Sequence, residues 1–161
     1  MDARVAAEPG DILFYRTSSG SGLFPRAIVF FQRLWGEGDR ESRYYHMSVV
    51  ASNVLMQFEA RFPKCRESKI NWSHPGIELW RIRGVTLEQR NSIVACAMNM
   101  VGEWYDVWNF VFGAFDSKHA ETCATFVAKA AAAAGVRLDP IGDRFLTPNE
   151  MVESPFLYRV E

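Results

Sequence analysis

The chain has 161 residues, 48% of them hydrophobic and 23% charged, with a formal net charge of -1 at pH 7. This length and balance predict one globular domain over residues 1–161 with a sizeable core. A charge near zero without a basic block argues against nucleic acid as the main partner. No apolar run approaches the roughly 20 residues that span a bilayer, so we expect no transmembrane segment.

The N-terminal sequence MDARVAAEPGD lacks the apolar core of a secretory signal, so we expect synthesis in the cytoplasm without one. Action outside the cell would then need a specialised secretion system. The chain has three cysteines, Cys65, Cys96 and Cys123, and no Cys-x-x-Cys pair. An odd number does not indicate a disulfide framework, and a structural zinc site of the usual spacing is not expected. We therefore expect no cofactor and no metal ion.

The first half of the chain predicts mostly strands. We expect, in order, a turn and a strand over 9–16, a helix over 22–35, a polar loop over 36–43, two strands within 44–60 and a third at Ile77–Ile82. The helix is indicated by apolar residues at helical spacing.

The second half begins with a helix that has a clear start signal. Thr86-Leu-Glu-Gln89 is a capping-box pattern, and the helix is expected to run to about Val101. Its apolar stripe is expected at Leu87, Val94, Met98 and Val101. This stripe should face the core.

Two more helices and a strand complete the prediction. An Ala-rich helix is expected over 121–134, ending at Gly135, which suits a helix C-terminus. Thr147-Pro-Asn-Glu150 opens a short helix with proline at its first position. The segment FLYRV predicts a closing strand. The whole pattern predicts an α+β fold in which helices pack on an antiparallel sheet.

The segment YHMSVVASNVLMQFEA predicts a hairpin that brings His46 close to Glu59. If Ser52-Asn53 is a two-residue turn, His46 faces Glu59 and Ser48 faces Gln57. The opposite face is then wholly apolar, with Met47, Val49, Ala51, Val54, Met56 and Phe58. A one-residue slip would mix the two faces, so the pattern favours this register.

Directly opposite residues have Cβ atoms roughly 4.5–5.5 Å apart. The Glu59 carboxylate can then hydrogen-bond one nitrogen of His46 and leave the other free as a base. The alternative is a surface pair without function, since exposed ion pairs contribute little. The weak point is the Ser-Asn turn, because a longer loop would shift the register.

Cys123 lies where a helix is expected to begin, with Thr122 or Glu121 as the cap. In a first turn, the helix dipole and the free N–H groups favour a thiolate, which is the competent nucleophile. The same N–H groups can hold the oxyanion of a tetrahedral intermediate. The Cys123 face continues through Phe126, Val127, Ala130 and Ala134. The alternative is a buried structural cysteine, which most free cysteines are.

The remaining cysteines and histidines favour plainer interpretations. Cys65 lies in a charged segment and Cys96 in mid-helix, so both are interpreted as structural. His74, in NWSHPG, is interpreted as a turn residue. His119 precedes the Cys123 helix and is interpreted as a surface residue, although it could line the site.

These motifs, taken in order, resemble a known family. PGD precedes a strand, YYHMSVV carries the histidine, and FEA, GEWYDVWNF and ETCATFVAKAAAAAGV follow. This order resembles the circularly permuted NlpC/P60 cysteine hydrolases of the papain-like superfamily, in which the histidine strand precedes the cysteine helix. The resemblance covers most of the chain, from about Pro9 onward. It implies a permuted papain-like fold, with a sheet or small barrel packed against helices.

The resemblance implies a Cys-His-Glu triad. Carried over by position, Cys123 is the nucleophile, His46 the general base and Glu59 the orienting residue. Tyr105 and Asp106 resemble the YD element of the family and are assigned either a structural role or a place on the substrate side. Thr122, before the nucleophile, is assigned there too.

Some residues depart from the family pattern. Ala124 stands where a serine often follows the nucleophile, and Met47 where a small residue commonly follows the histidine. The sequence Thr122-Cys-Ala-Thr-Phe-Val127 also echoes the lecithin retinol acyltransferase-like branch, which acts on lipids. That branch has a second histidine where this chain has Glu59, so it fits less well.

The resemblance implies an amidase or peptidase that acts by thiol acyl transfer, on peptidoglycan peptides or related amides. A secreted antibacterial toxin or a phage enzyme would fit, with an immunity or inhibitor protein as a partner. The alternatives are a lipid acyl hydrolase or acyltransferase with the same triad, and a binding module without activity. A metal site built from His46, Glu59 and Cys123 is the weakest alternative.

Overall fold

In a computed structural model of the chain, residues 3–17, 43–105, 120–138 and 147–161 are described. The helix predicted over 22–35 lies outside them, as does most of the loop that follows. Within the described residues the strands are β1 (Ile12–Arg16), β2 (Tyr44–Val50), β3 (Met56–Glu59), β4 (Arg66–Lys69), β5 (Ile77–Ile82), β6 (Trp104–Tyr105), β7 (Ala120–Glu121) and β8 (Leu157–Arg159). The helices are α1 (Ala3–Ala6), α2 (Leu87–Asn99), α3 (Cys123–Ala132) and α4 (Pro148–Val152).

Six strands form one antiparallel sheet in the order β4-β3-β2-β1-β5-β8. The other two, β6 and β7, form a short parallel pair. The α+β class, the antiparallel sheet and the strand predicted at Ile77–Ile82 are therefore confirmed. In this order β2 and β1 are interior strands, and β4 and β8 are the edges.

The two faces of the sheet carry separate apolar clusters. On one face, Met47 and Val49 of β2 pack with Phe126 and Ala130 of α3. On the other face, a smaller cluster contains Leu13, Tyr15, Val50, Ile70 and Leu79. Because successive side chains of a strand point to opposite faces, β2 contributes to both clusters.

Each of the three longer described helices begins with a threonine that caps it. Thr86, Thr122 and Thr147 all accept a hydrogen bond from the backbone N–H three residues later, and the side chain at that position bonds back. These reciprocal bonds satisfy N–H groups that the first turn leaves free. Thr122, rather than Glu121, is therefore the cap before Cys123. Gly135, with φ 75°, follows the end of α3 as predicted.

A buried ion pair ties the PGD segment to the sheet and to α2. Asp11 has no exposed surface, and its carboxylate accepts two hydrogen bonds from Arg81, both at 2.8 Å. Arg90 of α2 donates a third at 2.9 Å. A carboxylate that is fully desolvated is tolerated here because its charge is matched by two guanidinium groups.

The hairpin has the predicted faces but not the predicted register. Val50 pairs with Gln57 rather than with Leu55, a shift of two residues along β3. The connecting loop is longer than two residues, since Ala51 N–H donates to Met56 O. A shift of two residues keeps every strand residue on its face. Val54 lies in the loop and packs against the second cluster, contrary to the prediction.

The stripe predicted for α2 is wrong in three of its four positions. Leu87 is 73% exposed, Met98 60% and Val101 43%, whereas Val94 is buried. The helix instead buries Ile93, Val94 and Ala97, because it packs on α3 as well as on β2 and β3. The predicted stripe did not include Ile93 or Ala97, and alanine suits close packing on the Ala-rich α3.

The sequence did not predict β4, which pairs with β3 over its whole length. Its sequence, RESK, has no apolar residue, so neither alternation nor burial identifies it. Cys65, just before β4, is buried in the larger cluster, consistent with its structural interpretation. Among the described residues, no helix is both long enough and apolar enough to cross a membrane.

Candidate active site

His46 lies on β2, with its side chain 13% exposed. It stands beside Tyr15 of β1, its partner in the ladder, and the two rings are tilted with centroids 5.3 Å apart. Both neighbours of β2 are hydrogen-bonded strands. The backbone that carries the imidazole is therefore held in place by a strand on each side.

Glu59, the last residue of β3, holds one side of the imidazole. His46 Nε2 donates to Glu59 Oε2 at 2.7 Å. The register makes the two residues diagonal rather than directly opposite, a distance that long side chains still reach. Glu59 is 2% exposed, and its other oxygen accepts hydrogen bonds from Arg66 Nε at 3.0 Å and Ser68 Oγ at 2.9 Å.

The carboxylate of Glu59 is kept ionised. Burial alone would raise its pKa, but the hydrogen bond and charge of His46, followed by the hydrogen bonds of Arg66 and Ser68, lower the pKa to about 2. Each of these donors favours the charged form over the protonated one. Glu59 is therefore an acceptor and not a proton donor at any pH near neutrality.

Cys123 is the first residue of α3 and is 6% exposed. Its side chain lies close enough to His46 to raise the pKa of that imidazole. Because Nε2 of His46 faces Glu59, we infer that Nδ1 faces the thiol. The contact is made possible by α3 packing directly on β2. Of the face predicted to continue from Cys123, Phe126, Val127 and Ala130 are buried and Ala134 partly buried.

The two partners of His46 favour its charged form. Burial lowers the pKa of His46, but the hydrogen bonds to Cys123 and Glu59 and their negative charges outweigh it and raise the pKa to about 9. A raised pKa of this origin means that His46 carries its positive charge at neutral pH.

A chain of hydrogen bonds behind Glu59 is oriented in one direction. Gln57 accepts from Tyr15 Oη at 2.5 Å and from Ser48 Oγ at 2.6 Å. Its amide nitrogen then donates to Ser68 Oγ at 3.1 Å, and Ser68 donates to Glu59. Every donor in the chain points toward the carboxylate, so the chain supports its negative charge.

Sequence reasoning found part of this chain and missed the rest. The hairpin prediction brought Ser48 near Gln57, and the two side chains do bond. Arg66 and Ser68 were missed because β4 was not predicted. In β4 those two residues point to the same side of the sheet as Glu59, but RESK itself carries no signal that identifies it as a strand.

Of the three residues predicted on the substrate side, the structure describes Thr122 and Tyr105. Thr122 is 4% exposed, and its hydroxyl accepts a hydrogen bond from Thr125 N–H and so caps α3. Tyr105 is partly buried and lines a cavity that also borders His46 and Glu59. Asp106 lies outside the described residues, as does His119. His74 lies in a turn, where it accepts from Gly76 N–H at 3.1 Å, but it also lines the cavity.

That cavity has a volume of about 600 Å³. His46 and Glu59 form part of its wall, and Cys123 is not among its described lining residues. Three cationic side chains line it as well, those of Arg61, Arg66 and Lys69. Across the described part of the chain, no group of three or more His, Cys, Asp or Glu residues is arranged to hold a metal ion.

No protein-family model matches this chain, and no curated protein matches it. Among solved structures, the chain is similar to metalloprotein yiiX (DUF1105) from Escherichia coli O157:H7. The TM-score is 0.68, the sequence identity is 20%, and the match covers 96% of each chain. At this identity the likeness shows a shared fold and nothing about shared chemistry.

Proposed function

We propose that this chain is a cysteine hydrolase, an amidase or peptidase of the circularly permuted NlpC/P60 type with a papain-like fold. One observation carries the proposal: His46 bonds Glu59 through Nε2, and Cys123, at a helix start, lies close enough to raise the pKa of the same imidazole. Cys123, His46 and Glu59 then follow one another in the spatial order that thiol acyl transfer requires, as nucleophile, base and orienting acid. A binding module would have no use for an imidazole held in this way.

In this proposal the reaction proceeds in two steps. The Cys123 proton passes to His46, and the thiolate attacks the carbonyl carbon of the amide. The N–H groups in the first turn of α3 stabilise the resulting oxyanion. The C–N bond then breaks, and the imidazolium gives its proton to the leaving amine. Water, deprotonated by His46, attacks the thioester, which releases the acid and regenerates the thiol.

The substrate that we propose is a peptidoglycan peptide or a related amide. This rests on the family resemblance, since the geometry alone is compatible with any acyl donor that reaches the thiol. A secreted antibacterial effector or a phage enzyme would encounter such a substrate. The lipid alternative uses the same triad and requires a fatty ester in place of an amide.

The first test is the pH dependence of iodoacetamide labelling, read at each cysteine by peptide mass spectrometry. We expect Cys123 to label fast below neutral pH, and His46→Ala to abolish that reactivity. His46→Gln is a second variant, because it leaves Glu59 with a polar partner if His46→Ala fails to fold. Labelling of Cys123 no faster than that of Cys96, which is partly exposed, would contradict the proposed couple.

The second test follows cleavage of purified peptidoglycan fragments by mass spectrometry, with ester lipids in parallel. Release of a new amine by wild type, absent in Cys123→Ala and retained in Cys96→Ala, supports the amidase. Release of free fatty acid instead would favour the lipid alternative. Cleavage that persists in Cys123→Ala would refute the mechanism.

A further inference from the structure

Trp104 of β6 is 62% exposed, although its backbone is held in a short antiparallel ladder. Backbone hydrogen bonds of 2.8 and 3.0 Å join residues 103–105 to the segment that contains Lys64. Lys64 and Trp104 therefore stand directly opposite each other, as the pair whose side chains approach most closely. The Lys64 ammonium accordingly lies 4.5 Å from the centre of the Trp104 ring.

This ladder has an inner and an outer face, because side chains alternate along it. Cys65 is buried in the larger cluster and Tyr105 packs against that cluster, so these two residues mark the inner face. Lys64 and Trp104 mark the outer face. Phe62, two residues before Lys64, is 65% exposed. Two aromatic rings are thus presented to solvent on backbone that is anchored to the core.

The segment that carries Phe62 is basic. Residues 61–69 hold four cations and one acid, a net charge of +3 in a chain whose formal net charge is -1. The cations are Arg61, Lys64, Arg66 and Lys69, and the acid is Glu67. The rest of the chain is therefore net acidic, and positive charge is concentrated around the exposed rings. The acid next to Trp104 along the chain is Glu103, which is exposed.

The chemistry of this surface fits an anionic lipid bilayer better than a protein partner. Tryptophan rings concentrate at the level of the lipid headgroups, where one part of the ring is apolar and the other can hydrogen-bond. Lysine and arginine next to a bilayer are attracted by its anionic lipids. Lysine is depleted in interfaces between proteins, whereas here a lysine lies against the exposed indole.

We propose that Phe62, Lys64 and Trp104, with Arg61 beside them, form a docking surface for an anionic lipid bilayer. The two rings enter the headgroup region, and the cations meet the lipid phosphates. Because the backbone below the rings is already ordered, docking requires little further loss of conformational freedom. The proposal goes beyond the hydrolase and does not depend on it, since neither His46 nor Cys123 takes part.

The test is flotation of the full chain with vesicles of phosphatidylcholine alone, and with vesicles that also contain about 30% phosphatidylglycerol. We expect binding to the mixed vesicles that weakens with salt, and at least about tenfold weaker binding to the neutral ones. W104S should weaken binding to the mixed vesicles about tenfold, because it removes a large apolar side chain. R61Q/K64Q should weaken it about tenfold or more, and E103Q should strengthen it about two- to fivefold.

The matched controls change the same chemistry elsewhere. L87S removes an apolar side chain that is 73% exposed at the other end of α2. R83Q/K129Q removes two exposed cations outside residues 61–69. Both should bind like wild type. Binding that survives in W104S and in R61Q/K64Q, or that falls equally in the controls, would overturn the proposal. So would the absence of binding to mixed vesicles, which would leave an acidic protein as the occupant to test.

Two measurements keep these results separate from folding and from the hydrolase. The urea midpoints of W104S and R61Q/K64Q should match that of wild type, since these side chains are exposed. Cys123→Ala should bind vesicles as wild type does. A reactive Cys123 without vesicle binding would refute the docking surface alone, and vesicle binding with an unreactive Cys123 would refute the hydrolase alone.

Discussion

Replacing Glu59 with glutamine would keep an oxygen that accepts the hydrogen bond of His46 but would remove its negative charge. The side chain is 2% exposed and nearly the same size, so the packing around it should be preserved. Arg66 and Ser68, which donate to the same carboxylate, can still donate to an amide oxygen. The substitution therefore tests the charge of Glu59 separately from its position.

The expected size follows from the pKa of His46, which the two partners raise from 6.5 to about 9. An opposite charge at hydrogen-bond distance typically contributes about 1–3 units. Each unit lost from the His46 pKa lowers the ratio of the thiolate–imidazolium pair to the neutral pair about tenfold. We therefore expect alkylation of Cys123 at pH 6 to slow about tenfold or more in E59Q.

The assay is the rate of iodoacetamide alkylation of Cys123 between pH 5 and 10, measured for wild type and E59Q. The matched control is E78Q, a second buried glutamate on the sheet, which accepts from Tyr44 instead of from His46. E78Q should reproduce the wild-type profile. An E59Q profile that matches wild type at every pH would refute the view that Glu59 stabilises the imidazolium.

Three further predictions follow. Ser68→Ala removes one donor to Glu59, so alkylation of Cys123 at pH 6 should slow about two- to fivefold, less than in E59Q. Asp11→Asn breaks the buried pair with its two arginines, so the free energy of unfolding in urea should fall by about 3 kcal/mol while alkylation stays unchanged. The stability that His46 contributes should be present below pH 6.5 and lost as the pH rises through about 9. The stability that Glu59 contributes should be present above pH 4.5 and lost as the pH falls toward about 2. The urea midpoints of wild type and E59Q, measured from pH 3 to 10, report both pH dependences of stability.

Each of these predictions has its own contrary result. A Ser68→Ala variant as slow as E59Q would mean that the serine fixes the geometry of the carboxylate rather than its charge. An Asp11→Asn variant that slows alkylation would connect the ion pair to the site. Urea midpoints for wild type and E59Q that change in parallel across the whole pH range would contradict the linkage.

The hairpin shows how far local sequence can determine the site. Alternation assigned His46 and Glu59 to one face, and the contact at 2.7 Å follows from that assignment. Alternation has a period of two, so it cannot distinguish registers that differ by two residues. The loop decides between them, and Ser52-Asn53 is a weak turn signal compared with Asn-Gly.

Other features depended on contacts that are distant in the chain. The buried face of α2 is set by its packing on α3 and the sheet, so the predicted stripe was right at Val94 and wrong at its other three positions. β4 is a strand because β3 offers it a hydrogen-bonding edge, although its residues have little strand preference. Helix starts were predicted best, because the threonine caps act over only three residues.

The site is divided between two kinds of structure. His46 and Glu59 belong to strands joined by backbone hydrogen bonds, whereas Cys123 belongs to a helix whose side chains pack against the sheet. A rigid displacement of α3 by an ångström would leave the acid–base pair intact and separate it from the sulfur. Ala124, the next residue along α3, is fully buried. Under the proposed function, the reactivity of the thiol would therefore change with the position of one helix, without loss of the fold.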